Sequence, residues 1–169
     1  MNTKIKIIFC FFATLLIIFV VAYLNNVFGI SATNIEREAR KSNIIGDSWG
    51  VSKSLNDELC ALIFYDETLD DFSYSIYVNR DGLSFGYFFI KGGSTIEVEQ
   101  GIEVFDYDIK GKVLISMNKD RVAKILLDDD IIITQIDVDP EKPFAVVIPV
   151  NCGSVTLYNS SGEIVPVNQ

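Results

Sequence analysis

The chain has 169 residues, nearly half of them hydrophobic, and a formal net charge of −9. This length fits one folded domain plus an apolar segment, and the hydrophobic content argues against a disordered chain. All 23 acidic residues lie after residue 30, so that part of the chain repels phosphate backbones and no nucleic-acid binding is expected. Histidine is absent, which excludes Ser-His-Asp and Cys-His catalytic systems and imidazole-based zinc sites.

An uncharged apolar run, IIFCFFATLLIIFVVAYL, occupies residues 7–24. As a helix it spans about 27 Å, close to the thickness of the hydrocarbon core of a bilayer. Lys4 and Lys6 precede it, so the positive-inside rule places the N-terminus in the cytoplasm. We therefore predict a single-pass plasma-membrane protein with its domain outside, comprising a cytoplasmic tail over 1–6 and a transmembrane signal-anchor helix over 7–28 that contacts the lipid bilayer.

A cleaved signal peptide is the alternative interpretation of this run, and it would leave a secreted domain. The apolar region of a signal peptide is usually shorter, about 7–15 residues. Residues 27–29 offer a cleavage site with one small residue, Gly29, but they lack the Ala-x-Ala pattern. Both interpretations deliver the domain to the same side of the membrane.

A polar segment follows over residues 29–48, and we predict that it is a stalk or linker. Asn34 can cap a short helix whose first turns are acidic and whose last turn is basic, as the helix dipole favours. Only Ile35 and Ala39 are apolar in this helix. A helix with so small an apolar face is expected to be solvated.

Residues 49–169 are predicted to form an extracytoplasmic β-rich domain. Apolar and polar residues alternate over 72–79, which is typical of a half-buried strand. Leu59–Tyr65 and Ile131–Ile133 are apolar on both faces, so both are expected in central strands. Residues 119–127 fit a strand slightly better than a helix.

Three turns share Asn or Asp at the first position and Gly at the fourth. This pattern suits a type I turn followed by a glycine bulge, and it predicts three hairpins. The predicted fold is mainly β, an antiparallel sandwich or partly open barrel built from hairpins and preceded by one transmembrane helix and a short helical stalk. The turns are Asn79–Gly82, Asp108–Gly111 and Asn159–Gly162.

Two sets of residues are candidate covalent or metal sites. Cys60 and Cys152 are the cysteines outside the apolar run, and an oxidising compartment permits a disulfide between them, with two free thiols as the alternative. Asp137, Asp139 and Glu141 alternate onto one side of an extended segment and are weak calcium ligand candidates, with a solvated loop as the alternative.

Tyr77, Tyr87 and Phe89 are a possible aromatic binding face for a glycan or peptide, with core packing as the alternative. No catalytic residue and no cofactor is expected. The sequence therefore predicts a non-catalytic, membrane-anchored binding or interaction module whose partner is another envelope protein or a wall polymer. The alternatives are an accessory or assembly subunit of a membrane complex and a carboxylate-based hydrolase that acts on envelope polymers.

Overall fold

The structure, a computed structural model, describes residues 3–24, 27–80 and 84–167. Its helices are α1 (Thr3–Leu24), α2 (Ile35–Asn43) and the short α3 (Ile96–Gln100). Its strands are β1 (Gly50–Leu55), β2 (Leu59–Tyr65), β3 (Phe72–Asn79), β4 (Tyr87–Gly93), β5 (Glu103–Asp106), β6 (Lys112–Ser116), β7 (Val122–Asp128), β8 (Ile133–Asp137), β9 (Phe144–Ile148), β10 (Ser154–Asn159) and β11 (Ile164–Val165).

The strands form three antiparallel sheets. The first sheet has the order β1-β2-β3-β4, the middle sheet β5-β6-β9, and the third sheet β11-β10-β7-β8. Within the described residues none of these orders closes into a barrel. The predicted mainly β, antiparallel fold with one N-terminal apolar helix is confirmed, and the strand preferred over 119–127 is β7.

The middle sheet is buried on both faces. On β6, Val113 and Ile115 pack against the first sheet, whereas Leu114 between them packs against the third. On β9, Val147 packs against the first sheet and Val146 packs against the third. Successive side chains of a strand point to opposite faces, so a strand between two sheets needs apolar residues at every position. The unbroken apolar runs of β6 and β9 follow from this position.

The first sheet is buried between the middle sheet and α2. In β2, which is central as predicted, Ile63 faces the middle sheet and Leu62 faces α2. Ile35 and Ala39 of α2 are fully buried against this outer face. The expectation of a solvated helical stalk is therefore wrong, because two apolar residues one turn apart suffice to seat α2 on a sheet that is apolar on both faces.

Side chains join the first and middle sheets along one edge. The Ser52 and Ser54 hydroxyls accept hydrogen bonds from the backbone N–H groups of Ala145 (3.3 Å) and Val147 (3.0 Å). Two residues further along β1, from Ser52 to Ser54, the bonded residue is also two further along β9, from Ala145 to Val147. The two strands therefore run in the same direction. The turns that follow these strands therefore lie at the same end of the body.

Residues 27–30 complete the first sheet beside the start of β4. Four backbone hydrogen bonds of 2.7–2.8 Å join them to residues 85–87. The two segments approach so closely that a Cβ atom on Gly29 would lie 2.7 Å from the Tyr87 carbonyl oxygen, and one on Gly86 would lie 2.7 Å from that of Ile30. Glycine at both positions permits this contact.

The end of the body that receives residues 27–30 is called the α1 end. There the Tyr87 hydroxyl donates to the Asn56 carbonyl oxygen (2.6 Å), and Lys110 forms an ion pair with Glu58 (2.7 Å). These contacts and the shared direction of β1 and β9 bring four turns to this end. The turns are 56–58, 107–111, 129–132 and 149–153.

Ile131–Ile133 are exposed, at 88%, 62% and 64%, so their predicted central position is wrong. The run falls on the β7–β8 turn, and β8 is the edge strand of the third sheet. The Asp129 carboxylate accepts hydrogen bonds from the N–H groups of Ile131 (3.0 Å) and Ile132 (2.7 Å). The carboxylate thus forms a turn where the apolar run alone suggested a strand.

Two of the three predicted hairpins are confirmed. β5 pairs with β6 and β10 pairs with β11, both antiparallel. Gly111 and Gly162 have φ angles of 107° and 82°, which glycine adopts without strain. β3 and β4 also pair antiparallel, but the predicted turn at Asn79–Gly82 lies partly outside the described residues.

Candidate functional site

A cleft of about 560 Å³ lies between the middle and third sheets, beside the edge strand β5, and reaches the α1 end. Its floor is formed by the apolar side chains packed between the middle and third sheets, where Val104, Val155 and Val167 remain only partly buried. A ligand seated there would cover this apolar surface, which contributes favourable free energy in proportion to its area. The apolar lining residues are Val104, Leu114, Ile148, Val155 and Val167.

An ion pair lies on the rim of this cleft. Lys112 Nζ lies 2.8 Å from an Asp106 carboxylate oxygen, and the backbone N–H of Asp108 donates to the same carboxylate at 3.0 Å. These hydrogen bonds, that from Lys112 first, lower the pKa of Asp106. A carboxyl that acts as a general acid needs a raised pKa, and the pKa of Asp106 is shifted in the opposite direction.

Cys152 also lines the cleft, and its thiol lies 3.1 Å from the Ser154 carbonyl oxygen. Burial is the first cause of the raised pKa of Cys152. The thiol is therefore protonated at neutral pH, whereas a cysteine nucleophile must be a thiolate.

The predicted disulfide between Cys60 and Cys152 is not formed, and both thiols are free. Cys60 lies between the first sheet and α2, whereas Cys152 packs against the cluster between the middle and third sheets. Two sheets separate the thiols, a distance that no disulfide can span. Burial raises the pKa of Cys60 to about 11.

A second groove, of about 390 Å³, runs along the opposite side of the body between β1 and the β8–β9 segment. Lys53 and Tyr65 line its first wall, and Asp139 and Lys142, 2.9 Å apart, line the other. The seryl hydroxyls along its floor already bind the N–H groups of β9. The polar groups of this groove are satisfied within the chain, as is the Asp106–Lys112 pair on the rim of the cleft.

The three weak calcium candidates do not form one site. Asp139 pairs with Lys142, Glu141 pairs with Arg121 (3.4 Å), and Asp137 accepts a hydrogen bond from a glutamine side chain (2.7 Å). The hydrogen bond from Lys142 is the first cause of the lowered pKa of Asp139. Among the described residues no three His, Cys, Asp or Glu side chains converge to hold a metal ion.

The three aromatic candidates do not form an exposed face. Tyr77 and Tyr87 are buried beneath α2, and burial is the first cause of their raised pKa values. Phe89 is exposed and packs edge-to-face on Tyr77, with ring centroids 5.6 Å apart. The interpretation as core packing therefore holds for both tyrosines, and it fails for Phe89.

Exposed apolar residues at the α1 end form a feature that the sequence did not reveal. Phe28 and Phe85 stack with their ring centroids 6.2 Å apart and remain exposed. Ile109, Val150 and the Ile131–Ile133 run are exposed on three of the turns. For the isoleucine run, the sequence did contain a signal of exposure, the Asp128–Asp130 triplet. Aspartates favour turns, so an apolar run directly after them is expected at the tip of a hairpin.

Comparisons of the chain with protein-family models, curated proteins and solved structures yielded no match.

Proposed function

We propose that this chain is a single-pass membrane protein whose β-rich body binds a partner on the outer side of the plasma membrane. One observation carries the proposal. Over Ile7–Leu24, α1 has a mean hydropathy of 3.0 and no part of it is buried by the described body, while residues 27–30, directly beyond it, are hydrogen-bonded into the first sheet. An apolar helix that the described body leaves exposed is stable in an apolar solvent, and residues 27–30 hold the body beside it.

Charge supports the orientation of the chain. Lys4 and Lys6 precede α1, and the chain beyond residue 30 holds every acidic residue. Basic residues are retained on the cytoplasmic side, whereas a large domain crosses the membrane regardless of its charge. The N-terminus is therefore cytoplasmic in this proposal, and the body is extracytoplasmic.

The packing of residues 27–30 supports an uncleaved anchor. Cleavage near residue 29 would remove the Val27 carbonyl oxygen, which accepts a hydrogen bond from Phe85 N–H at 2.8 Å, and the Phe28 ring that stacks on Phe85. A secreted body would lack part of the edge of its first sheet. An exposed sheet edge invites unwanted pairing, so retention of this segment favours the folded body.

The cleft between the middle and third sheets is the proposed binding site. Its apolar floor and its rim of charged and hydrogen-bonding groups are the combination that ligand sites use. The paired Asp106 and the protonated Cys152 thiol favour binding over catalysis. The partner is another envelope protein or a wall polymer that reaches this cleft near the membrane surface.

The anchor is tested with full-length protein in its native cells. Replacing Leu16 and Ile17 together by arginine costs about 3 kcal/mol per residue at the helix centre, and we expect the chain to leave the membrane fraction. The matched control, Leu16→Ala with Ile17→Ala, should stay in the membrane after alkaline extraction, and external protease should digest its body. Recovery of wild-type chain with Met1 intact in the soluble fraction, without detergent, would refute the proposal.

The binding site is tested by photocrosslinking in the same cells. A photoreactive amino acid at Ser154, which lines the cleft, should give one discrete crosslinked product. The control position is Ile44, which is 93% exposed and lies outside the cleft. If both positions give the same products, or position 154 gives none, the cleft is not the partner site. Loss of the product on proteolysis or on wall digestion distinguishes the two partner classes.

A further inference from the structure

The β7–β8 turn displays isoleucines on a fixed backbone. The Asp129 carboxylate binds two N–H groups of the turn, and the Asp128 carboxylate binds that of Asp130 at 2.9 Å. The Asp128 carbonyl oxygen accepts a further bond from Gly153 (2.7 Å), which ties the turn to its neighbour 149–153. Ile131 and the two residues after it still point away from the body.

Apolar exposure differs between the two ends of the body. At the α1 end the exposed residues are consecutive or stacked: the isoleucine run and the Phe28–Phe85 pair. At the opposite end Leu69, on the β2–β3 turn, and Ile96, at the start of α3, are each exposed singly. Single exposed apolar residues are normal on soluble proteins, whereas contiguous ones mark a contact surface.

The position of α1 decides what covers this surface. Residues 27–30 follow α1 closely in the chain and are hydrogen-bonded to residues 85–87 at the α1 end. Val27 N–H still donates to the Ala22 carbonyl oxygen of α1 at 3.1 Å, and the Phe28 ring contacts Phe19. With α1 in a bilayer, the turns at the α1 end are brought to the lipid surface.

We propose that the α1 end rests on the outer leaflet and that Ile131–Ile133 insert into its interfacial region as a second lipid contact. This inference depends on the proposed anchor. Backbone in a low-dielectric region must have its hydrogen bonds satisfied, and the Asp128 and Asp129 carboxylates supply three of them in this turn. The interface is where such an amphipathic element is stable, about 5–10 Å into the headgroup and acyl boundary.

Charge near the turn specifies the lipid. Asp128, Asp129 and Asp130 surround the isoleucines, and hydrogen bonds from the turn backbone lower the pKa of Asp129. Ionised carboxylates are repelled by the negative surface potential of anionic lipids. The lipid partner of this turn is therefore zwitterionic, with phosphatidylcholine as the probe.

The experiment uses full-length protein in phosphatidylcholine nanodiscs with and without nitroxide lipids, which carry the nitroxide either at the headgroup boundary or near the end of the acyl chain. Fluorophores are attached singly at Ile132→Cys, at Leu16→Cys in α1, or at Ile164→Cys, an exposed position on β11 that follows the turn at the opposite end. The background replaces Cys10 and Cys152 by serine and retains the buried Cys60. We expect the acyl-chain nitroxide to quench the fluorophore at position 16 and the headgroup nitroxide to quench that at position 132. Neither should quench the fluorophore at position 164.

Quenching at position 16 with none at position 132 would overturn the inference and leave the anchor intact. Absence of quenching at position 16 would overturn both. With phosphatidylglycerol in place of phosphatidylcholine, quenching at position 132 should fall while that at position 16 is unchanged. Equal or stronger quenching at position 132 in the anionic lipid would refute the lipid preference.

Discussion

The two helices that precede the β-rich body have opposite compositions and opposite environments. α1 is apolar on all sides, and its span Ile7–Leu24 has no buried part. α2 is mostly charged or polar, yet it buries Ile35 and Ala39 completely against the first sheet. The comparison teaches that burial within a protein depends on a complementary surface and not on the hydropathy of the segment.

The two helices differ because the body offers a matching apolar surface to α2 and none, among the described residues, to α1. The outer face of the first sheet, with Cys60, Leu62 and Phe64, provides the partner of α2. No described part of the body covers α1, and in the proposed membrane anchor its apolar surface faces lipid. Substitutions in α2 should change the stability of the body, whereas equivalent substitutions in α1 should not.

Ile35→Ala should have the largest effect. The truncation leaves a cavity between α2 and the first sheet and should lower the free energy of unfolding by about 3 kcal/mol. The matched control Ile17→Ala in α1 should change it by less than about 0.5 kcal/mol. Urea unfolding in detergent, followed by the fluorescence of Trp49, the single tryptophan, measures both. Equal effects of the two substitutions would contradict the comparison.

Arg40→Lys should have the next largest effect. Arg40 donates to the carbonyl oxygens of Gly46 (3.0 Å) and Trp49 (3.1 Å) and to the Glu36 carboxylate (3.1 Å), and its guanidinium lies over the Phe64 ring. Lysine cannot serve this planar set of acceptors, so we expect a loss of about 2 kcal/mol in the same assay.

The control for Arg40 is Arg37→Lys on the same helix. Arg37 is exposed and pairs only loosely with Glu38, at 3.5 Å. An exposed pair of this kind contributes little, so the change should stay under about 0.5 kcal/mol. If both substitutions changed the free energy of unfolding equally little, the contacts of Arg40 would not contribute to the stability of α2 on the sheet.

Ile44→Gly should stabilise the protein. Ile44 ends α2 in the left-handed conformation, with φ of 57°, which strains a β-branched residue, and its side chain is 93% exposed. Glycine adopts this conformation freely, so we expect a gain of about 1 kcal/mol from thermal or urea unfolding. Ile164→Gly, at an exposed strand position, should destabilise; a loss at both sites would show that the terminus of α2 is unstrained.

The smallest effect is a loss of stability at alkaline pH, and it concerns Cys60 beneath α2. Burial raises the pKa of this thiol from 9.0 to about 11. The folded state therefore holds the proton more tightly, and this contribution to stability is present below pH 9 and is lost as pH rises through 11. Cys60→Ala should flatten the fall in urea midpoint over that window, and an unchanged slope would contradict the dry interface under α2.

The strands were the part of the fold that the sequence revealed best. Leu59–Tyr65 and Phe72–Asn79 match β2 and β3 in both bounds. Alternation of polar and apolar residues is a local signal, and so are the Gly111 and Gly162 turns, which depend on a backbone conformation that favours glycine. Such features need no knowledge of distant residues.

Features that depend on distant partners were not predictable. The seating of Ile35 and Ala39 requires an apolar outer face on a sheet that is formed later in the chain. The stacking of three sheets, and with it the separation of Cys60 from Cys152, is likewise a long-range property. Spacing along the chain carries no information about it, and the cleft that these sheets enclose was for this reason missed.

The junction at Gly29 and Gly86 has a mechanical consequence. The facing backbones are in contact and hydrogen-bonded, so the junction cannot act as a hinge. With α1 in a bilayer as proposed, a tilt of the helix would be passed to the first sheet through residues 27–30. Forces that reorient the helix, such as a change in bilayer thickness, would be transmitted to the cleft as a displacement of its mouth relative to the membrane plane.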